Sequence, residues 1–233
     1  MRDLVIVGAG GFARETAAAV RAVNQVRPTW RLLGFLDDNP ALRGVERAGL
    51  PVLGGLETLA DRPAAAVLVC VGNPRDWSGR QRVVARLGLP PDRYATVLHP
   101  GAEVGYGCSI GPGTVLLSGV VLTADVTVGA HVAVMPQAVL THDCRVDDQV
   151  TVASGVRLGG GSVLRHGVYV GAGALIREGV TVGARSQVGM GSVVLRDVPP
   201  AQVWVGNPAR YLRATALSPD RTTGVIPQLR SRS

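Results

Sequence analysis

The chain of 233 residues contains no lysine, so all 24 basic side chains are arginine. Such uniformity reflects the codon usage of a GC-rich genome more than a binding function. The arginines are scattered, with no basic run and no interleaved aromatics, so the net charge of +7 does not mark a nucleic-acid partner. A basic surface of this kind attracts small phosphorylated molecules instead. Cysteine is scarce: Cys70, Cys108 and Cys144 show no CxxC spacing, which fits a reducing compartment. The opening MRDLVIVGAGG breaks into glycine before a secretory apolar core forms. No stretch reaches the length of a membrane span, so a cytoplasmic location and no membrane partner are expected. Aromatics make up only 4% of the chain, while glycine numbers 31. A core short of rings and rich in Val, Leu, Ile, Ala and Gly points to a regular, tightly wound backbone.

Residues 1–96 read as a small α/β domain. The apolar run Leu4–Val7 leads at once into Gly8-Ala9-Gly10-Gly11-Phe12-Ala13, and an alanine-rich helical stretch follows over Arg14–Val23. Strand, glycine turn and helix form the context in which G-x-G-x-x-G/A has meaning: Gly8 allows the tight turn, and Gly10 lets backbone N–H groups approach a phosphate. A second strand, Arg31–Leu36, ends in Asp37-Asp38. A third, Ala66–Val71, ends in Gly72-Asn73-Pro74, with a helix expected over Gly79–Leu87. Ligands in open α/β sheets sit at the carboxyl ends of strands, so one crevice can hold these clusters together. The same residues also suit plain turn and packing roles.

Residues 97–213 carry a repeat. From Val104 to Val194 every sixth residue is Val, Leu or Ile, sixteen in succession, and Leu98 extends the series backwards. Two positions before each stands a small or β-branched residue, such as Ala102, Cys108, Thr114, Val120, Ala138 or Ser162. Glycine recurs directly after the aliphatic position, at Gly105, Gly111, Gly129, Gly159, Gly171, Gly183 and Gly189. A period of six is neither helix nor simple alternation; it is the signature of hexapeptide repeats. Three hexads make one triangular coil of about eighteen residues, giving about five coils, and stacked coils bury one another's apolar faces. The recurring glycine suits a corner needing unusual backbone angles. The phase never breaks, so no long loop is expected to interrupt the solenoid. Residues 214–233 read as a loosely ordered tail.

VIVGAGGFARE, FLDDNP, VCVGNP, a hexapeptide solenoid carrying THDC, and a closing VWVGNPAR stand in one order over about residues 3–213. This arrangement resembles the hexapeptide-repeat sugar O- and N-acetyltransferases of the sialic acid O-acetyltransferase and bacillosamine N-acetyltransferase group. The resemblance implies an N-terminal half-Rossmann-like α/β domain followed by an all-β, left-handed parallel β-helix; the hand comes from the family alone. It also implies a homotrimer, acetyl-CoA as co-substrate, and a sugar, often nucleotide-linked, as acceptor. His142 then stands where the family's general base stands, with Asp143 orienting the imidazole and raising its basicity. Thr151, Ala172 and Met190 match positions that contact the cofactor. Gly11, Phe12, Ala13, Asp37, Asp38, Gly72 and Asn73 fall in the expected sugar-nucleotide crevice. Many relatives carry histidine where Phe12 stands, and some carry a second where Thr151 stands, which bears on the substrate more than on the reaction.

Other readings compete with this one. An NAD-dependent dehydrogenase would need a second set of strands and helices, which the chain lacks. A zinc site of the kind some solenoids carry would need a closely spaced histidine pair. His99, His131, His142 and His166 lie 32, 11 and 24 residues apart, so no metal is expected. A non-catalytic trimeric scaffold with a ligand-sensing α/β domain is the alternative to an enzyme.

Overall fold

A computed structural model describes residues 1–73, 76 and 78–215. The N-terminal unit is a five-stranded sheet flanked by two α-helices. Its strands are β1 (Arg2–Val7), β2 (Trp30–Leu36), β3 (Glu46–Arg47), β4 (Leu50–Gly54) and β5 (Ala66–Val69), in spatial order β3-β4-β2-β1-β5. β5, β1, β2 and β4 run parallel, and β3 closes the edge as an antiparallel hairpin with β4. Helix α1 (Gly11–Val26) follows β1, and α2 (Gly79–Leu87) follows β5. Strands β3 and β4 were absent from the sequence reading, where the third strand was the one now labelled β5. They are short and half polar, and a proline at position 51 leaves little alternation to read.

From Val97 to Val194 the chain forms a two-residue strand every six residues without interruption. These strands stack into three parallel sheets. The first face carries strands beginning at 103, 121, 139, 157, 175 and 193, and the second those beginning at 109, 127, 145, 163 and 181. The third face carries those beginning at 97, 115, 133, 151, 169 and 187, and is extended by the hairpin Gln202–Gly206/Ala209–Ala214. Each strand pairs in register with the strand eighteen residues on, as Val139 does with Arg157 and Leu140 with Leu158. The stack is a left-handed parallel β-helix. The aliphatic row is its core: Leu116, Leu122, Leu140, Val152, Leu158 and Leu164 are all buried. The small residues fill the remaining space. Where these are hydroxyl-bearing they satisfy themselves on carbonyls: Ser162 Oγ donates to Gly159 and Arg177, and Thr114 Oγ1 to Gly129.

The glycines that follow the aliphatic residues do not supply the unusual backbone angles expected of them. The left-handed conformation belongs to the residue two positions later, every sixth residue from Gly107 to Gly191, with Asp125, His131, Gln137, Asp143, Gln149 and Arg185 in place of glycine. The earlier glycines are required by close approach between coils. A Cβ on Gly159 would lie 2.5 Å from the amide nitrogen of Glu178, and one on Gly171 2.5 Å from that of Met190. A methyl group at either position would overlap the backbone of the next coil.

The α/β unit packs on the third face. α1 lays Ala13, Ala17 and Val20 into a cluster with Val97, Val115 and Leu117, whose side chains point out of the solenoid. Strand Ala209–Ala214 runs one residue past the expected boundary at 213; the rest of the tail assigned to 214–233 lies, beyond Thr215, outside the described residues. Among the described residues no helix is long and apolar enough to cross a membrane.

Candidate active site

The glycine turn is held in place from behind. Gly8 takes φ +100°, and a Cβ there would meet the carbonyl oxygen of Cys70 at 3.0 Å. Asp37 Oδ2 accepts from the Ala9 N–H at 2.9 Å, and its Oδ1 from the Asn39 N–H at 3.0 Å. Asp38 accepts from the Leu56 N–H at 3.0 Å and pairs with Arg86 at 2.6 Å. The Leu56 hydrogen bond and then Arg86 hold its carboxyl below the usual range. Asp37 thus spends both oxygens on backbone N–H groups of the crevice loops, and Asp38 ties the Leu56 N–H to Arg86 of α2. Helix α1 begins bare: no side chain caps Gly10, and its first turn carries no acid. Arg14 is the first helical residue whose N–H finds a partner, Gly10, at 3.2 Å. The N–H groups of Gly11, Phe12 and Ala13 are the helix donors left for a ligand, although the Ala13 side chain is fully buried.

Between this turn and the third face lies a cavity of about 250 Å³. Gly11, Phe12, Gly72 and Asn73 line it from the α/β side. Thr151, Tyr169 and Ala172 line it from the solenoid. Four of the expected crevice residues and two of the expected cofactor residues therefore share one pocket. Asp37, Asp38 and Ala13 do not line it. Met190 stands one coil beyond Ala172 on the corner between the third and first faces, 82% exposed. Phe12 packs against the backbone at Gly72, where a Cβ would meet its ring at 3.6 Å.

His142 and Asp143 occupy a different corner, between the first and second faces. Their backbone is fixed from both neighbouring coils: the Asp143 N–H donates to Ala124 and the His142 carbonyl accepts from Gly161. Asp143 adopts φ +60°, which turns its side chain back onto its neighbour. His142 Nδ1 and Asp143 Oδ2 are 2.7 Å apart, on largely exposed side chains. With Asp143 accepting the Nδ1 proton, Nε2 carries the free lone pair. The ring lies flat over Gly160 of the next coil, where a Cβ would stand 2.5 Å from Cε1. Within one chain, His142 does not enter the pocket.

The sequence reading missed Arg80. It lies in the pocket wall, 3% exposed, and its Nη2 donates to the carbonyls of Gln149 and Val150 and to Thr151 Oγ1 at 2.9–3.0 Å. The available signal was helical spacing, since Arg80 shares a face of α2 with Val83, Val84 and Leu87. His131, read as an ordinary corner residue, is buried with its ring edge-on to Tyr94 at 4.5 Å. Burial, and then the charge of Arg80, push its pKa down to about 4.

Residues 3–87 match the family model described as the PglD N-terminal domain. Over 120 residues the chain is 33% identical to a UDP-N-acetylbacillosamine N-acetyltransferase of Bacillus subtilis (strain 168), covering 51% of this chain and 52% of that one. The chain thus matches about half the length of this curated relative. Solved structures align over more of it. The acetyltransferase domain of PglB from Neisseria gonorrhoeae FA1090 superposes with a TM-score of 0.80 at 29% identity, over 91% of this chain and all of that one. A histidine-to-asparagine variant of perosamine N-acetyltransferase from Caulobacter crescentus, in complex with CoA and GDP-perosamine, gives 0.80 at 26% identity over 91% and 97%. Domain order, solenoid and sequence together place the chain among the relatives of the hexapeptide-repeat sugar acetyltransferases of the bacillosamine N-acetyltransferase group.

Proposed function

We propose that the protein transfers an acetyl group from acetyl-CoA to an amine or hydroxyl of a nucleotide-linked sugar, with His142 as general base. The observation that carries this reading is the imidazole at 2.7 Å from a carboxylate on an outward corner, at the level of the cavity's coils. The base sits at one edge of the first face, and Ala172 and Met190 sit at the other. The outward row of that face is largely apolar and uncovered, with Val121, Val139 and Val193 partly exposed and Leu175 exposed. Packing three such faces around an axis would set one chain's His142 beside the next chain's Ala172 and Met190, at the corner that opens on the cavity wall of Thr151. A homotrimer therefore completes a site that a single chain leaves in two halves.

In that site Nε2 takes the proton as the acceptor nitrogen or oxygen attacks the thioester carbonyl. The new N–C or O–C bond forms, the C–S bond breaks, and the departing thiolate receives the proton back from the imidazolium. Asp143 holds the ring in the tautomer this needs and stabilises its charged form. No enzyme nucleophile is required, because binding supplies the proximity. The α1 N-terminus and the loops held by Asp37 and Asp38 form the nucleotide crevice, with Gly72 and Asn73 opposite.

The test is release of free thiol from acetyl-CoA in the presence of UDP-, GDP- and dTDP-linked amino sugars. His142→Ala should lower turnover by about 10²–10⁴ with CoA binding retained. Turnover unchanged by His142→Ala removes the base; failure to bind CoA at all leaves a non-catalytic scaffold.

A further inference from the structure

Arg80 is a buried cation without an anion. Its residue is 3% exposed, and its three hydrogen-bond acceptors, two carbonyls and one hydroxyl, are all neutral. Its Nε is buried with no partner. Among the described residues no carboxylate pairs with it. The titratable groups facing it are His131 and Cys70. Burial leaves both uncharged at neutral pH, the imidazole with its pKa near 4 and the thiol pushed up to about 12. The junction between α2 and the third face thus holds a positive charge that no ion pair among the described residues offsets. Neutral acceptors recover part of the cost of burying a charge, and an anion recovers much more.

A second positive source opens into the same cavity. The uncapped N-terminus of α1 reaches it through Gly11, and apart from chain neighbours and the helix's own backbone no atom lies within 4 Å of where a Cβ of Gly10 or Gly11 would stand. The rest of the wall is mostly apolar, with Phe12, Met135 and Tyr169 prominent and Glu15 the one carboxylate. Charge and helix dipole therefore act on one small space.

We propose that Arg80 and the N-terminus of α1 form a subsite for an anionic oxygen group of the acceptor, either the phosphate of its nucleotide or a carboxylate on its sugar. The inference rests on the sugar-nucleotide reading of this pocket and narrows it: the acceptor brings its own negative charge to a cation that the fold holds ready. Arg80 has a second task in the same geometry, because its bond to Thr151 Oγ1 fixes that side chain in the wall shared by both halves of the cavity.

The test compares ligands that differ in one anionic group, titrated calorimetrically into the full chain. UDP, GDP and dTDP are set against their nucleosides, and UDP-glucuronate against UDP-glucose. At least one anion-bearing ligand should bind about tenfold or more tightly than its neutral counterpart, and the pair that does so identifies the source. Arg80→Lys should keep most of that preference. Arg80→Gln, which retains a donor for the carbonyls, and Arg80→Met should reduce it below about threefold. A merely structural role would move all three variants together. No preference in any wild-type pair overturns the proposal without recourse to a variant, and so does a preference that survives Arg80→Gln or Arg80→Met. Thiol release from acetyl-CoA by the wild-type protein is read separately. Acetyl transfer combined with a preference indifferent to Arg80 would sink this inference and leave the transfer reading standing.

Discussion

At the scale of single residues, the geometry of His142 depends on what is missing beneath it. Gly160 has an ordinary backbone conformation, so alanine costs nothing there in φ, yet its Cβ would stand 2.5 Å from the imidazole. The exposed ring is free to move away and would leave its hydrogen bond to Asp143. Gly160→Ala should therefore spare stability and damage catalysis. A misplacement of about 1 Å costs up to about a hundredfold in rate, so turnover should fall between about ten- and a hundredfold with the melting midpoint nearly unchanged. His131 has the opposite character, a histidine whose worth is structural. Its folded pKa near 4 lies below the ordinary 6.5, so the unfolded chain binds a proton that the folded one refuses. Stability from this group is complete above about pH 6.5 and drains away as pH falls towards 4, by on the order of 3 kcal/mol. Urea unfolding at about pH 7.5 and about pH 4.5 should register that loss. His131→Asn, which tolerates the φ of +54° at this position, should flatten the slope.

At the scale of elements, two kinds of glycine alternate along the solenoid for different reasons, and substitution separates them. Gly161 has φ +68° and open space around its missing Cβ. Asparagine there should cost less than about 1 kcal/mol and alanine about 1–2. Gly159 has ordinary φ, but a Cβ would strike the backbone of the next coil. Alanine at that position should cost about 3 kcal/mol or more, because backbone cannot rotate aside as a side chain can. Chemical denaturation of the three variants checks the order. The same contrast shows what was legible in advance. The inward row from Leu98 to Val194 could be read because a prism accepts only aliphatics at every sixth place. The glycine row was visible too, but its cause was not: sequence does not show the distance between coils, and both kinds of glycine look alike on the page. The hairpin over residues 46–54 was missed since one strand is two charged residues and the other is a short apolar run broken by a proline, so neither carries a period. Arg80 was missed because a charge reads as exposed until the face covering it is known.

At the scale of the molecule, the two halves of the proposed site lie on opposite edges of one face, which makes its completion a question of assembly. Gly11, Phe12, Gly72 and Asn73 could be read as crevice residues from the strand ends they follow, while Ala13, Asp37 and Asp38, read the same way, do not line the pocket; nothing in the chain states that α1 covers the third face or that the first face stays bare. If three first faces meet, each catalytic unit takes His142 from one chain and the cavity from the next. Two defective chains should then repair one another. His142→Ala removes the base and leaves the cavity whole. Ala172→Trp fills the cavity from the corner beside Thr151 and leaves the base whole. Each alone should be inactive in thiol release. In trimers assembled from an equal mixture, about one interface in four pairs an intact base with an intact cavity. The co-expressed population should therefore recover about a quarter of wild-type turnover, and separately purified homotrimers combined without exchange should recover none. A site contained within one chain predicts no recovery by either route. Leu175→Arg, placed in the bare row, supplies the companion measurement. It should shift the protein to monomers in sedimentation and abolish turnover, while both half-sites remain folded within each chain.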